Sequence, residues 1–115
     1  MEDIFTTSSI NNRKKNILIV DDDPTFLKTV KDWLSGDFRV NIVNSGMQAI
    51  TFIAKHTPDL ILLDYEMPVT TGPQVLEMIR SESATGTIPV MFLTGKEKLK
   101  NQIRDYFEGL KSKSY

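Results

Sequence analysis

A chain of 115 residues, 40% hydrophobic and 25% charged, has the size and make-up of one domain around a single core and leaves no room for a second. A formal net charge of -1 provides no basic surface for direct contact with nucleic acid or an anionic membrane. The absence of cysteine excludes a disulfide framework, a thiolate metal site and a thiol nucleophile. Residues 1–15 lack the apolar core of a signal peptide and no apolar run approaches bilayer length, so the expectation is a soluble, cytoplasmic protein with no membrane partner.

Residues 1–15, MEDIFTTSSINNRKK, are rich in Thr, Ser and Asn, close on Arg13, Lys14 and Lys15, and read as a solvated N-terminal tail. Asn16 to Val20 (NILIV) is a short β-branched run that ends on Asp21, Asp22 and Asp23, the pattern of a buried strand delivering carboxylates at its carboxyl end. Asp23 before Pro24 reads as an N-cap with proline at the first helical position. Phe26, Leu27, Val30, Trp33 and Leu34 then recur at helical spacing until Gly36. A second strand, Arg39 to Val43, leads to Ser45, a cap for a helix with Met47, Ala49, Ile50, Ile53 and Ala54 on its inner side, closed by His56, Thr57 and Pro58.

Asp59 to Pro68 (DLILLDYEMP) is the organising stretch. Leu60 to Leu63 show no alternation, as in a strand buried on both faces of a parallel sheet, and the run ends on Asp64. Taken alone, Asp64 is equally well a polar strand end or the cap of a following turn. After the loop Tyr65 to Gly72, Pro73 opens a helix carrying Val75, Leu76 and Ile79. Ser81 to Thr87 is a polar loop, and Ile88 to Leu93 (IPVMFL) is a fourth strand ending on Thr94. A last helix, about 97–108, shows Leu99, Ile103 and Phe107 on one side, with Gly109 as its stop. Strict alternation of strands and helices predicts an α/β fold with right-handed crossovers and a doubly wound parallel sheet. Trp33 and the methionines fall on apolar positions and are expected in the core. His56, the only histidine, is expected on the surface beside a helix C-terminus.

In an open parallel sheet, ligands bind outside the carboxyl ends of the strands. Three strands end on Asp21 with Asp22, on Asp64 and on Thr94, which would share one edge and one site. Clustered carboxylates repel unless a cation lies among them, and an all-oxygen set suits Mg2+. An aspartate beside such a metal can attack a phosphoryl group to give an aspartyl phosphate, with the Thr94 hydroxyl placed to hydrogen-bond a phosphoryl oxygen.

These segments resemble the receiver domains of two-component response regulators. NILIVDDDP is similar to the family's first strand and acidic pair, LILLDYEMPVTTG to its phosphoacceptor segment, and IPVMFLTG to the segment bearing the switch hydroxyl. The resemblance covers residues 16 to about 110 and implies a flavodoxin-like receiver fold. It implies a phosphorylation-switched signalling domain rather than an enzyme with its own substrate. A sensor histidine kinase or phosphotransfer protein would donate the phosphoryl group to Asp64. Magnesium would be held by Asp22, Asp64 and the backbone carbonyl of Glu66, with Asp21 acting through water, and Thr94 would be the switch hydroxyl. Glu66 and Lys96 stand at the two positions that flank the path of the hydrolytic water, and would tune dephosphorylation as a pair or act as independent solvated charges.

Two other readings compete. DDDPT, Asp21 to Thr25, also fits the signature of haloacid-dehalogenase-type phosphatases, with Asp21 as nucleophile and Asp23 as acid–base, but this leaves Asp64 unexplained. A receiver-like scaffold that never takes phosphate would lack an acceptor or acidic pair. Receiver domains continue into a fifth strand, bearing a lysine, and a fifth helix. Here residues 16–115 read as a receiver domain lacking both, with Tyr115 at the aromatic switch position and Lys111 and Lys113 early in register for the lysine. An open sheet edge is therefore expected, covered by the tail through Ile4, Phe5 and Ile10, by self-association, or by an output domain or other residues beyond Tyr115.

Overall fold

Two strands with no polar residue in their interiors form the centre of the protein: β1 (Asn16–Val20) and β3 (Leu60–Asp64). They pair in parallel, flanked by β2 (Arg39–Val43) and β4 (Val90–Leu93) in the order β2-β1-β3-β4. This computed structural model describes residues 14–93 together with Asp105, Glu108 and Gly109. Three helices fill the crossovers: α1 (Pro24–Leu34), α2 (Gly46–Ile53) and α3 (Gly72–Ser81).

Successive strand side chains point to opposite faces, and the two cores divide accordingly. Ile17, Ile19, Leu60 and Leu62 pack with Leu27, Val30 and Leu34 of α1. Leu18, Val20, Ile61 and Leu63 pack with Ala49 and Ile53 of α2 and Val75 and Ile79 of α3. Helices on both faces make the doubly wound sheet that alternation predicts. Each such Leu or Ile contributes about 1.5–3 kcal/mol by leaving water.

Local chemistry starts each helix. Asp23 Oδ1 accepts from the backbone N–H of Thr25 (3.0 Å) and Phe26 (3.3 Å), with Pro24 supplying the first helical position. Ser45 Oγ accepts from Gln48 N at 3.2 Å. The third helix begins at Gly72, one residue earlier than predicted, because Thr71 and Gln74 form a reciprocal capping box.

Several expectations are corrected. Trp33 is 41% exposed and Met47 64% exposed, since each lies on the flank of a helix whose buried line runs through neighbouring positions, Leu27–Val30–Leu34 and Gly46–Ala49–Ile53. Ala54 is exposed for the same reason. The fourth strand begins at Val90, not Ile88: the Ile88 N–H turns back to the Thr85 carbonyl at 3.1 Å, and Pro89 has no N–H to donate. The turn is held by Arg80 Nη1, which donates to the Gly86 and Ile88 carbonyls at 3.0 and 2.7 Å, and by the buried Thr85 hydroxyl, which donates to Ile79 O at 2.8 Å. Gly109 is itself helical rather than the residue beyond a helix end.

Among the described residues the sheet has four strands, with β4 at one edge. Val90, Met91 and Phe92 are half-buried, where their counterparts in β1 and β3 are fully buried. The tail residues Ile4, Phe5 and Ile10, the helix positions Leu99, Ile103 and Phe107, and Thr94, Lys96, Lys111, Lys113 and Tyr115 lie outside the described residues.

Candidate functional site

Strand register delivers the acidic residues to one edge. Val20 lies level with Leu63 across the β1–β3 pair, so Asp21 and Asp64, each one step further along, emerge side by side. The Asp21 N–H bonds the Val43 carbonyl at 3.2 Å, and Asp21 Oδ1 accepts from the Asp23 N–H at 2.9 Å, which fixes the turn out of β1. Asp21 is buried, Asp64 half-buried and Asp22 exposed, and one carboxylate oxygen from each lies within 4.8 Å of the others. The expected acidic site is therefore assembled from the ends of two adjacent strands.

Asp23, by contrast, stands outside this group. Its Oδ1 caps α1, a role that does not suit the acid–base of the phosphatase alternative. Glu66 is exposed, and its backbone N–H points to Asp64 Oδ1 at 3.3 Å. His56 is exposed at the far end of the sheet, its ring 5.0 Å from that of Phe52, and takes no part. Thr94, Lys96 and Tyr115, expected as switch and tuning positions, fall outside the described residues.

Like charges about 5 Å apart repel by about 1 kcal/mol per pair in bulk water, and by more where burial excludes solvent. Three carboxylates with one of them buried are thus an arrangement that a small divalent cation would relieve. The donor set is all oxygen, with no imidazole or thiolate, which fits Mg2+ rather than zinc or copper. Asp64 is the member that combines partial exposure with a strand end, so an incoming group can reach it.

Two features that position Asp64 were not drawn from the sequence. Gly72 packs against the Asp64 backbone: a β-carbon there would collide with the Asp64 carbonyl oxygen and lie 2.9 Å from Tyr65 Cα and 3.1 Å from Phe92 Cε1. The Gly72 N–H also donates to Tyr65 O at 3.0 Å. The signal was present in Thr71-Gly72-Pro73-Gln74, whose first and last residues have capping-box spacing. The second is Tyr65, 47% exposed, whose ring meets Phe92 edge-on with centroids 5.3 Å apart and so ties the loop after Asp64 to β4.

The family model described as "Response regulator receiver domain" matches residues 17–111. The chain belongs to this family. Among curated proteins, this receiver domain is 32% identical over 96 residues to response regulator Rre1 of Synechocystis sp., a match covering 82% of this chain and 42% of that protein. It spans less than half the length of the curated relatives first matched. Among solved structures it is similar to the N-terminal domain of a response regulator receiver protein from Methanoculleus marisnigri JR1, with 33% identity, a TM-score of 0.66, and 75% of each chain covered. It is also similar to the receiver domain of a sensor histidine kinase from Pseudomonas aeruginosa PAO1, a structure with magnesium coordinated in its active-site cleft. That match has 29% identity, a TM-score of 0.67, and covers 70% of this chain and 67% of that one. The receiver domain is a signalling domain, and no helix among its described residues is long and apolar enough to cross a membrane.

Proposed function

We propose that Asp64 is the phosphoacceptor of this receiver domain and that a histidine kinase or phosphotransfer protein is its donor. The observation that supports this most directly is the convergence of Asp21, Asp22 and half-buried Asp64 at the carboxyl ends of adjacent strands. A carboxylate oxygen of Asp64 attacks the phosphorus of a phosphohistidine. The new O–P bond forms as the P–N bond breaks, and the electron pair returns to the imidazole nitrogen. Mg2+, when bound by Asp22, Asp64 and the Glu66 carbonyl with Asp21 acting through water, supplies charge neutralisation for the incoming phosphoryl oxygens.

The remaining roles follow from the family resemblance. Thr94 donates its hydroxyl to a phosphoryl oxygen, and Tyr115 changes position with it. Glu66 and Lys96 flank the approach of the hydrolytic water and set how long the acyl phosphate lasts. Residues 16–115 act as the cytoplasmic receiving unit. An output domain or a second copy of the chain reads the change.

The test is incubation with Mg2+ and a small phosphodonor such as acetyl phosphate, followed by borohydride reduction and peptide mass spectrometry. The modification is expected on Asp64 and is abolished by Asp64→Asn. A modification on Asp21 that persists in Asp64→Asn would overturn the assignment.

A further inference from the structure

At the opposite end of the sheet from the carboxylates lies a second polar concavity. Asn16 opens β1 and Arg39 opens β2, while Lys55 and His56 follow the end of α2. Together with Asn41 and Phe52 they border a cleft of about 500 Å3. Strand pairing explains why it exists. Asn41 lies level with Leu18 and Arg39 with Asn16, so both β2 residues belong to the sheet face that α2 covers over Leu18 and Val20. Both are nevertheless exposed, because α2 ends at Ile53 and the chain leaves through Lys55 to Pro58 without covering them.

The chemistry of the cleft is one-sided. The chain has 15 acidic and 14 basic residues, yet no carboxylate lines this cleft, while Arg39, Lys55 and His56 all do. Neither Arg39 nor Lys55 takes part in an ion pair among the described residues. The neighbouring acid, Asp59, is not among the lining residues, and its Oδ2 is engaged by the Asn16 N–H at 2.7 Å. The Lys15 carbonyl accepts the Arg39 N–H at 2.9 Å, which fixes the start of β2 beside that of β1. Asn16 and Asn41 add amide donors, and the Phe52 ring, 5.0 Å from that of His56, adds an apolar surface.

We propose that this cleft binds a small polyanion, a molecule bearing at least two phosphate or carboxylate groups, with Arg39 and Lys55 holding separate charged groups. Its volume is that of a small-molecule site rather than a macromolecular interface. The arginine fork grips one planar or tetrahedral anion through paired hydrogen bonds, and the lysine, on a different element, meets a second as a point charge. Five-residue strands separate the cleft from Asp64 by about 16 Å, so its occupancy can be followed apart from that of the acidic site.

The experiment is titration of the metal-free protein with pyrophosphate and, separately, with citrate at constant ionic strength, using sodium chloride as reference. It is followed by calorimetry and by NMR of the Arg39 Nε–H, the Asn41 side-chain amide and the His56 ring. Saturable one-to-one binding is expected, with shifts at these groups and none at Asp21, Asp22 or Asp64, and with Arg39→Gln and Lys55→Gln each weakening it about tenfold. Both residues are exposed, and unchanged thermal unfolding midpoints would confirm that the variants fold. Preference for pyrophosphate identifies a phosphorylated ligand, preference for citrate a polycarboxylate, and equal affinity supports the shared chemistry. Non-saturating shifts equal to those of chloride, or binding indifferent to both substitutions, would overturn the proposal.

Discussion

Gly72 abuts the backbone carbonyl of Asp64 so closely that no β-carbon fits between them. The first residue of α3 thereby sets the height of the loop that follows β3. Gly72→Ala is expected to force the loop away, at a cost of about 1–3 kcal/mol, as overpacking commonly does. It should also weaken Mg2+ binding by displacing the Asp64 carboxylate. Urea unfolding and calorimetric metal titration measure the two effects, and a Gly72→Ala variant with parental stability and full metal affinity would contradict this.

Val69 lies in the same loop with φ 70, in the left-handed region, and is 98% exposed. A β-branched residue there is strained and its side chain packs against nothing that would compensate. Val69→Asn is therefore expected to raise stability by about 1 kcal/mol, Asn tolerating this region far better. A lower unfolding midpoint in the variant would show that Val69 has a role the loop geometry does not reveal.

Asp22 and Asp23 are adjacent but do different work. Asp22→Ala should weaken Mg2+ binding while leaving stability nearly unchanged. Asp23→Ala should cost about 1 kcal/mol through loss of the α1 cap and leave metal affinity largely intact. Equal losses of metal affinity would put Asp23 among the ligands.

Metal and mutation should also interact in sign. Without Mg2+ the three carboxylates repel, so Asp22→Asn in EDTA should be as stable as the parent or more so, the gain shrinking with added salt. With Mg2+ at about 100 times its dissociation constant, the parent gains about 2.7 kcal/mol by mass action and the variant less. Thermal unfolding of both proteins in both conditions gives the comparison. A variant less stable than the parent in EDTA would mean that Asp22 stabilises the fold itself.

What could be read from the sequence was local or followed from strand alternation. β1 shows as a short apolar run and β2 as Val40, Ile42 and Val43 interrupted by Asn41, and the caps at Asp23 and Ser45 are side-chain chemistry acting within three residues. The meeting of Asp21, Asp22 and Asp64 follows once both strands are assigned to the middle of one parallel sheet. Trp33 and Met47 were misplaced because helical periodicity marks the centre of a buried stripe, while its width depends on what packs alongside. The role of Gly72 is a contact between loop and strand end, which composition does not record. Thr71 and Gln74 were readable as a cap, but Pro73 gave the more conspicuous helix signal.

The unequal covering of the sheet has a mechanical consequence. β1 and β3 are enclosed on both faces, whereas Val90, Met91 and Phe92 of β4 are half-buried. Asp64 therefore stands on the seam between a stiff half and a compliant half. A load applied at that carboxylate meets little give toward β1 and more toward β4, along the path marked by the Tyr65–Phe92 ring contact. Amide hydrogens of β4 should exchange faster than those of β1, so that displacement at the seam runs outward in one direction.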